Sequence, residues 1–401
     1  MKNQFLKITT LSLIASSCIY AGGYKIPETS TNAVALGAAN IAHSIGADAA
    51  YANPANMSFM EDGAHLEADL MYIGLDPVNF KGSGAMAGVD IDAETETFFI
   101  PSMNYVSPKV GNYRFGLSVV VPGGLTKRWN DSPAVDSAEE FSLQVVEINP
   151  TVSYMINDQL SVAAGFRILH SSGIVKSSST ASRDMEADSF DFGYNLALAY
   201  KPMKELELAL TYRSNVDLTE EGNGKLLIGD AVVYDGGASV TVPLPALLNL
   251  AVAYTFPTKT TVEVVYERAF WSAYEDLDFN YKSNIPALLQ PSFDAPVAKD
   301  WEDTNAYRIG LTQELDKYTL MAGLVIDSTP VPDEKVSFEL PDSDSVAVSF
   351  GARYQYNEAW NFGFGALYSM RDERKVDNED IEGEFSNSDV LIVSAGVGYK
   401  F

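Results

Sequence analysis

Residues 113–121 read Tyr113-Arg114-Phe115-Gly116-Leu117-Ser118-Val119-Val120-Val121. Tyr113, Phe115, Leu117, Val119 and Val121 fall on one face of an extended chain and Arg114, Gly116 and Ser118 on the other, the period of two that a strand imposes. The stretch just after position 64 behaves the same way, with Leu66, Ala68, Leu70 and Tyr72 opposite His65, Glu67 and Asp69. A face that repeatedly carries charge cannot enter a sandwich core, so it must meet water or a polar lumen.

The alternation recurs to the end of the chain. Examples are Leu160, Val162, Ala164, Phe166 and Ile168; Leu206, Leu208, Leu210 and Tyr212; Val346, Val348, Phe350, Ala352 and Tyr354; and Leu391, Val393, Ala395, Val397, Tyr399 and Phe401. The pattern predicts about fourteen strands, each near the length that crosses an outer membrane at a tilt. Short turns at residues 157–159, 201–205, 257–260, 314–317 and 357–359 alternate with long polar segments at residues 124–140, 171–188, 216–239, 271–304, 327–345 and 371–388. A soluble sandwich has no reason to sort its loops by length onto opposite ends, whereas an outer-membrane barrel does. Tyr105, Tyr113, Tyr154, Tyr200, Tyr254, Phe256, Tyr318, Tyr354, Tyr356, Trp360, Tyr399 and Phe401 sit beside the short turns, where rings can form an interfacial girdle. The predicted fold is therefore all-β, a fourteen-stranded antiparallel transmembrane barrel with both ends on the periplasmic side.

Composition is compatible with this. The chain has 27 lysines and arginines against 54 aspartates and glutamates, and its aromatic content is 11%. Such acidity argues against nucleic acid as a partner, since little here would neutralise phosphates. No later stretch offers the apolar run of about 20 residues that a membrane helix requires. Residues 1–21 carry Lys2 and Lys7, a short apolar run and small residues at the end, and read as a secretory leader cut between Ala21 and Gly22. A lipoprotein cut before Cys18 is the alternative, although Ala15-Ser16-Ser17 lacks the usual start of such a site. Loss of the leader with its two lysines takes the formal charge from −27 to −29 and removes the single cysteine.

Residues 22–62 differ from the rest, being rich in Ala, Gly and Asn with neither a helical stripe nor strand alternation. Within Asn53-Pro54-Ala55, Pro54 has no amide hydrogen and keeps Asn53 out of helical geometry, predicting a fixed turn. Entering a barrel from below, such a segment suits a hatch inside the lumen, with residues 63–401 forming the wall. A mobile leader is the other reading of its composition.

These features together resemble one known family, the outer-membrane transporters of long-chain fatty acids and aromatic hydrocarbons (OmpP1/FadL/TodX). The likeness rests on residues 48–55 with Asn-Pro-Ala, on Leu244-Pro245-Ala246, Tyr266-Glu267 and Trp271-Ser272, and most specifically on residues 301–354. There, Trp301-Glu302-Asp303, Tyr307-Arg308-Ile309, Asp327-Ser328-Thr329-Pro330-Val331-Pro332 and Pro341-Asp342-Ser343-Asp344 stand in the family's order. The resemblance implies a monomeric, hatch-plugged barrel in the outer membrane that passes hydrophobic molecules without its own energy source. It also implies an outer apolar groove, a tighter pocket, and a sideways exit where an inward kink interrupts a strand. An apolar path avoids bringing an alkyl chain into water, which costs about 0.8 kcal/mol per methylene.

Several residues are candidates for these parts. Pro122, Gly123 and Gly124 interrupt a strand and suit the kink, or else begin an outer loop. Leu226, Leu227, Ile228, Leu288 and Leu289 are apolar islands that either line a groove or pack onto their own barrel. Arg114, Arg167, Arg213 and Arg308 have the parity of inward positions, and each could hold a ligand carboxylate or pair with an inward Asp or Glu; Lys335 is a further cation for a carboxylate. Val397, Tyr399 and Phe401 resemble the terminal signal read by the barrel assembly machinery. Residues appended after Phe401 are therefore expected to impair insertion, checked by the yield of heat-resistant barrel in outer-membrane fractions.

Beyond fatty acids, the expected partners are other hydrophobic small molecules and the outer-membrane lipid with its lipopolysaccharide. No cofactor is expected. An enzyme is disfavoured because His43, His65 and His170 lie near no Gly-x-Ser-x-Gly turn, and no cluster has metal-ligand spacing. An aromatic hydrocarbon channel, a general porin and a surface adhesin are the alternatives, the plug arguing against the open porin.

Overall fold

The computed structural model describes residues 22–401; the predicted leader and Cys18 lie outside the described residues. Fourteen strands form the wall. They are β1 (His65–Leu75), β2 (Glu96–Val106), β3 (Tyr113–Arg128), β4 (Glu140–Asn157), β5 (Leu160–Ser177), β6 (Ala181–Met203) and β7 (Leu206–Arg213), followed by β8 (Ala246–Thr255), β9 (Thr260–Phe270), β10 (Thr304–Glu314), β11 (Tyr318–Asp327), β12 (Ser345–Gln355), β13 (Trp360–Arg371) and β14 (Val390–Lys400). Each pairs antiparallel with the next, and β14 closes on β1 from His65↔Lys400 to Leu75↔Val390. Closure leaves neither β1 nor β14 as an edge strand, which is the condition for a sheet to sit in lipid.

The two faces are sorted as the alternation predicts. Outward positions such as Phe115, Phe166, Phe192, Leu196, Phe350 and Phe364 remain exposed, a belt of large apolar side chains that no soluble protein would present to water. Inward Glu67, Arg114, Glu147, Arg167, Glu263, Glu267 and Arg308 are buried. Beside the short turns, rings pair across strands, with centroids 4.9 Å apart for Tyr113 and Tyr154, 5.0 Å for Tyr318 and Tyr354, and 4.5 Å for Trp360 and Tyr399.

Two long polar segments are more regular than predicted. Residues 216–239, read as a loop, form an outer hairpin of Val216–Ile228 and Ala231–Leu244, whose first arm pairs with the upper half of β6 from Glu221↔Asp188 to Ile228↔Ala181. Residues 171–188 likewise continue β5 and β6 almost to their turn. The wall is thus raised above the membrane; Val216 and Leu218 on the first arm and Val240, Val242 and Leu244 on the second alternate inward, but the glycines and charged residues between them break the period.

The segment from residue 22 to 60 occupies the lumen. Helix α1 (Thr31–Leu36) is capped by the Ser30 hydroxyl, which accepts from the Ala33 amide, and ends at Gly37 with φ 57°. All six residues are buried against β11–β14, so the helix shows no amphipathic stripe, and this is why its sequence did not announce it. The wall yields at glycine: a Cβ on Gly351 would lie 2.4 Å from that of Ala35, and one on Gly365 would lie 2.8 Å from the Thr31 carbonyl oxygen.

Candidate functional site: an interrupted wall and the cavities behind it

The wall is incomplete between β2 and β3. They pair only from Met103↔Val119 to Val106↔Gly116. Higher up, β3 stays with β4 but takes one extra residue between Val120↔Glu147 and Gly123↔Val145, a bulge centred on Val121 and Pro122. Residues 120–127 turn inward and are buried. The two strands meet again only near the top, where the Glu94 amide donates to the Arg128 carbonyl at 2.9 Å. A window is left, with a small cleft behind it lined by Glu28, Asp69, Ile100, Ser102 and Val121.

The luminal segment supplies the missing pairing. The Ile26 amide donates to the Pro122 carbonyl at 2.8 Å and the Gly124 amide to the Tyr24 carbonyl at 2.8 Å. Pro122 leaves no orphan donor at the break, and a Cβ at Gly123 would stand 2.9 Å from the Tyr24 oxygen. Pro122, Gly123 and Gly124 therefore lie inside a strand that runs on to Arg128, not at the start of an outer loop.

Above this point is a narrow apolar cavity walled by Leu125, Phe141, Leu143, Val175, Val240, Val242, Leu277 and Leu340. Its aromatic edge is Tyr24, Tyr274 and Trp301, with Trp271 packed behind; Trp301 lies 4.9 Å from Tyr274 and 5.0 Å from Trp271. Two cations reach it: Lys299, bound to Glu339, and Lys335, whose Nζ is 2.9 Å from Asp300.

On the other side of Tyr24 a second cavity is bounded by the luminal segment, by Pro122, Leu244 and Leu247, and by Lys25, Arg167, Arg213 and Glu267. Its cations are matched by acids of the wall. Lys25 Nζ lies 2.6 Å from Glu267 and 3.1 Å from Asp327, and Arg308 shares Glu267 at 3.1 Å. Arg167 and Arg213 share Glu147 at 2.9 and 3.3 Å. Buried pairs of this kind add little stability over apolar packing but make loss of one partner costly, which ties residue 25 to its place. A wide polar vestibule lined by Glu67, Arg353 and Lys400 opens below.

The cations predicted for a carboxylate therefore divide. Arg114 is committed elsewhere: its guanidinium donates to the carbonyls of Ser107, Met57, Met60, Glu61 and Gly63, a clamp on the end of the luminal segment. All five of its donors are used, which removes it from the ligand set. Arg167 borders the second cavity with Glu147 already bound, and Arg308 is held by Glu267 and the Gly37 carbonyl, the pairing with inward acids that parity also allowed. Lys335 lines the outer cavity. Leu226 and Leu289 are buried together with Tyr234, Ile285 and Phe293, and Ile228 packs on them. These islands close on one another rather than forming an open groove, although Leu288 is 78% exposed. Leu227 lies on the same arm of the outer hairpin. Val397 and Tyr399 lie on β14, and Phe401 at its end is exposed.

Asn53, Pro54 and Ala55 form a turn buried in the lumen. Asn53 Nδ2 donates to the Ile41 carbonyl at 2.8 Å, its Oδ1 accepts from the Ala55 amide at 3.1 Å, and Pro54 opens a 3₁₀ turn, Pro54–Phe59. Asn53→Ala strands the buried Ala55 amide, while the Ile41 carbonyl keeps Asn56 Nδ2 at 3.1 Å, and should destabilise the segment by about 1–3 kcal/mol. The expected result is faster amide exchange over residues 40–58 with an unaltered, heat-resistant barrel; unchanged exchange would show that the turn does not hold the segment.

Sequence reading missed Lys299, Tyr24, Tyr274 and most of the apolar cavity wall. Trp301 was noticed only as part of a motif. Lys299 sits in a polar loop of no particular pattern, and only its 5% side-chain exposure marks it out.

Residues 12–401 match the family described as outer membrane protein transport protein (OMPP1/FadL/TodX). The chain belongs to this family. Among sequence relatives, the long-chain fatty acid transport protein of Salmonella typhi is 24% identical over 97% of this chain and 96% of its own. The outer membrane protein P1 of Haemophilus influenzae is 21% identical over 91% and 89%. Among solved structures, a Pseudomonas aeruginosa FadL homologue superposes with TM-score 0.84 at 19% identity, covering 95% of this chain and all of that one. The Pseudomonas putida toluene transporter TodX gives 0.75 at 17% identity, covering 94% and 99%. This OMPP1/FadL/TodX member is thus an outer-membrane β-barrel transport protein, and its fold is that of the FadL and TodX barrels.

Proposed function

We propose that this protein admits long-chain fatty acids passively, from the outer cavity, past residues 24–26, into the second cavity and out sideways through the window between β2 and β3. One observation carries the reading: an apolar cavity edged by two lysines stands above an interruption of the wall that only the luminal segment fills. Apolar walls take the alkyl chain, the lysines suit a carboxylate, and a lateral exit spares the chain the water of the vestibule. The name of the Salmonella typhi relative favours the same substrate class.

A hydrocarbon substrate is the second reading, favoured by the TodX likeness and the apolar wall; the two lysines weigh against it. We read the protein as a transporter without catalytic activity, in line with the names of its relatives. We also read it as a monomer, delivered by the barrel assembly machinery through Val397, Tyr399 and Phe401 and seated among lipopolysaccharide.

The test is uptake of labelled oleate, toluene and a small sugar by vesicles carrying the purified protein, against empty vesicles. Saturable oleate uptake is expected; preference for toluene would move the substrate to hydrocarbons, and passage of sugar would overturn the plugged transporter.

A further inference from the structure

The outer cavity contains a group that a plain alkyl chain does not need. Glu220, on the first arm of the outer hairpin, is 3% exposed and forms part of the otherwise apolar wall near Leu143, Val240 and Val242. Its Oε1 meets no donor among the described residues. The side chain ends directly over Gly173 of β5: a Cβ there would stand 2.1 Å from Oε2 and push the carboxyl aside. The charged groups felt most strongly by Glu220 are Asp188 and Asp191, both acidic, while the cavity's two lysines are bound to Glu339 and Asp300. Burial pushes the Glu220 carboxyl up to about 7.

A carboxyl in such surroundings is shifted towards its neutral form, because an ionised one would be buried without a cation, although a hydrogen bond with Ser171 favours ionisation. A neutral carboxyl donates through one oxygen and accepts through the other. The complementary ligand group is a hydroxyl, which also does both. A ligand's own carboxylate is a poor match, since it would meet the negative charge of Asp188 and Asp191.

We propose that Glu220 is a specificity-determining residue that favours hydrophobic ligands bearing a hydroxyl on the chain, hydroxylated long-chain fatty acids being the substrate class. The proposal rests on the fatty-acid reading above: the ligand carboxylate goes to the lysines and the chain hydroxyl to Glu220. A site with a buried polar group left unpaired discriminates against the analogue that lacks its partner, so plain chains should bind less tightly.

The experiment compares binding of stearate, 10-hydroxystearate, 12-hydroxystearate and 16-hydroxypalmitate to the purified barrel, for the wild type, Glu220→Leu, Glu220→Gln and Gly173→Ala. The wild type should prefer at least one hydroxy acid over stearate by about tenfold, the value of one buried hydrogen bond. Glu220→Leu should erase that preference without weakening stearate, and Glu220→Gln should keep most of it. Gly173→Ala keeps the carboxyl but displaces it, and should erase the preference even if the Leu variant fails to assemble. Equal preference in wild type and both Glu220→Leu and Gly173→Ala would overturn the proposal, as would stearate bound by the wild type without any preference. Binding of none of the acids by the wild type would instead overturn the fatty-acid reading, and this proposal with it.

Discussion

Deleting Pro122 is expected to abolish uptake while weakening ligand binding far less, through displacement of Leu125 in the outer cavity. Between Val120 and Gly123 strand β3 has one residue more than β4 opposite it, and that residue turns residues 120–127 inward. Without it the two registers coincide, and β3 can pair with β2 beyond Met103, closing the window. The same deletion removes the carbonyl that accepts from the Ile26 amide. A closed wall leaves only the polar vestibule as a route, at about 0.8 kcal/mol for each methylene brought into water, so exposing even a few methylenes slows passage by more than about tenfold. The measurement is the initial rate of labelled oleate uptake beside the dissociation constant of the purified barrel and its heat-resistant migration. Uptake near the empty-vesicle level from a barrel that still binds oleate is expected. Wild-type uptake from a correctly assembled deletion variant would place the exit elsewhere.

Replacing Lys299 and Lys335 together by alanine should weaken fatty acid binding by about ten- to a hundredfold, the value of one or two charge-assisted hydrogen bonds in a largely apolar cavity. Toluene, which has no charge to lose, should bind as before. Their present partners, Glu339 and Asp300, retain side-chain exposures of 19% and 61%, so both can be resolvated when the lysines go, and folding should survive. Lys335→Ala alone should give the smaller part of the effect. If oleate bound equally to the double variant, the carboxylate would have to be held elsewhere, Arg213 at the second cavity being the next cation to replace.

The wall was legible because its signals are local. Alternation at Arg114 and Phe115 and the short turns need only neighbours in sequence to be read, and the structure places Arg114 inward and Phe115 outward accordingly. The outer hairpin was read as a loop, since the inward alternation of Val216 and Leu218 and of Val240, Val242 and Leu244 is interrupted between them by glycines and charged residues. Helix α1 was hidden for another reason, being buried on every side. At the site, Pro122 and Gly123 announced an interruption, but whether it ended a strand or bent one depended on residues 24–26, about a hundred positions earlier. Arg114 had the parity of a luminal cation, and parity cannot tell a ligand partner from a clamp on five carbonyls.

The sequence by itself determined that this chain is a membrane barrel with sorted loops and a small-residue insert, and the motifs in residues 48–55 and 301–354 determined its family. Both are written in neighbouring residues, where strand period, turn chemistry and steric bulk act. Only the tertiary structure decided where the wall parts, which side chains enclose the outer cavity, and which charges are already paired. Those follow from contacts between distant segments, such as Tyr24 with Gly124, Lys299 with Glu339 and Glu220 with the space at Gly173, and barrel closure alone brings them together.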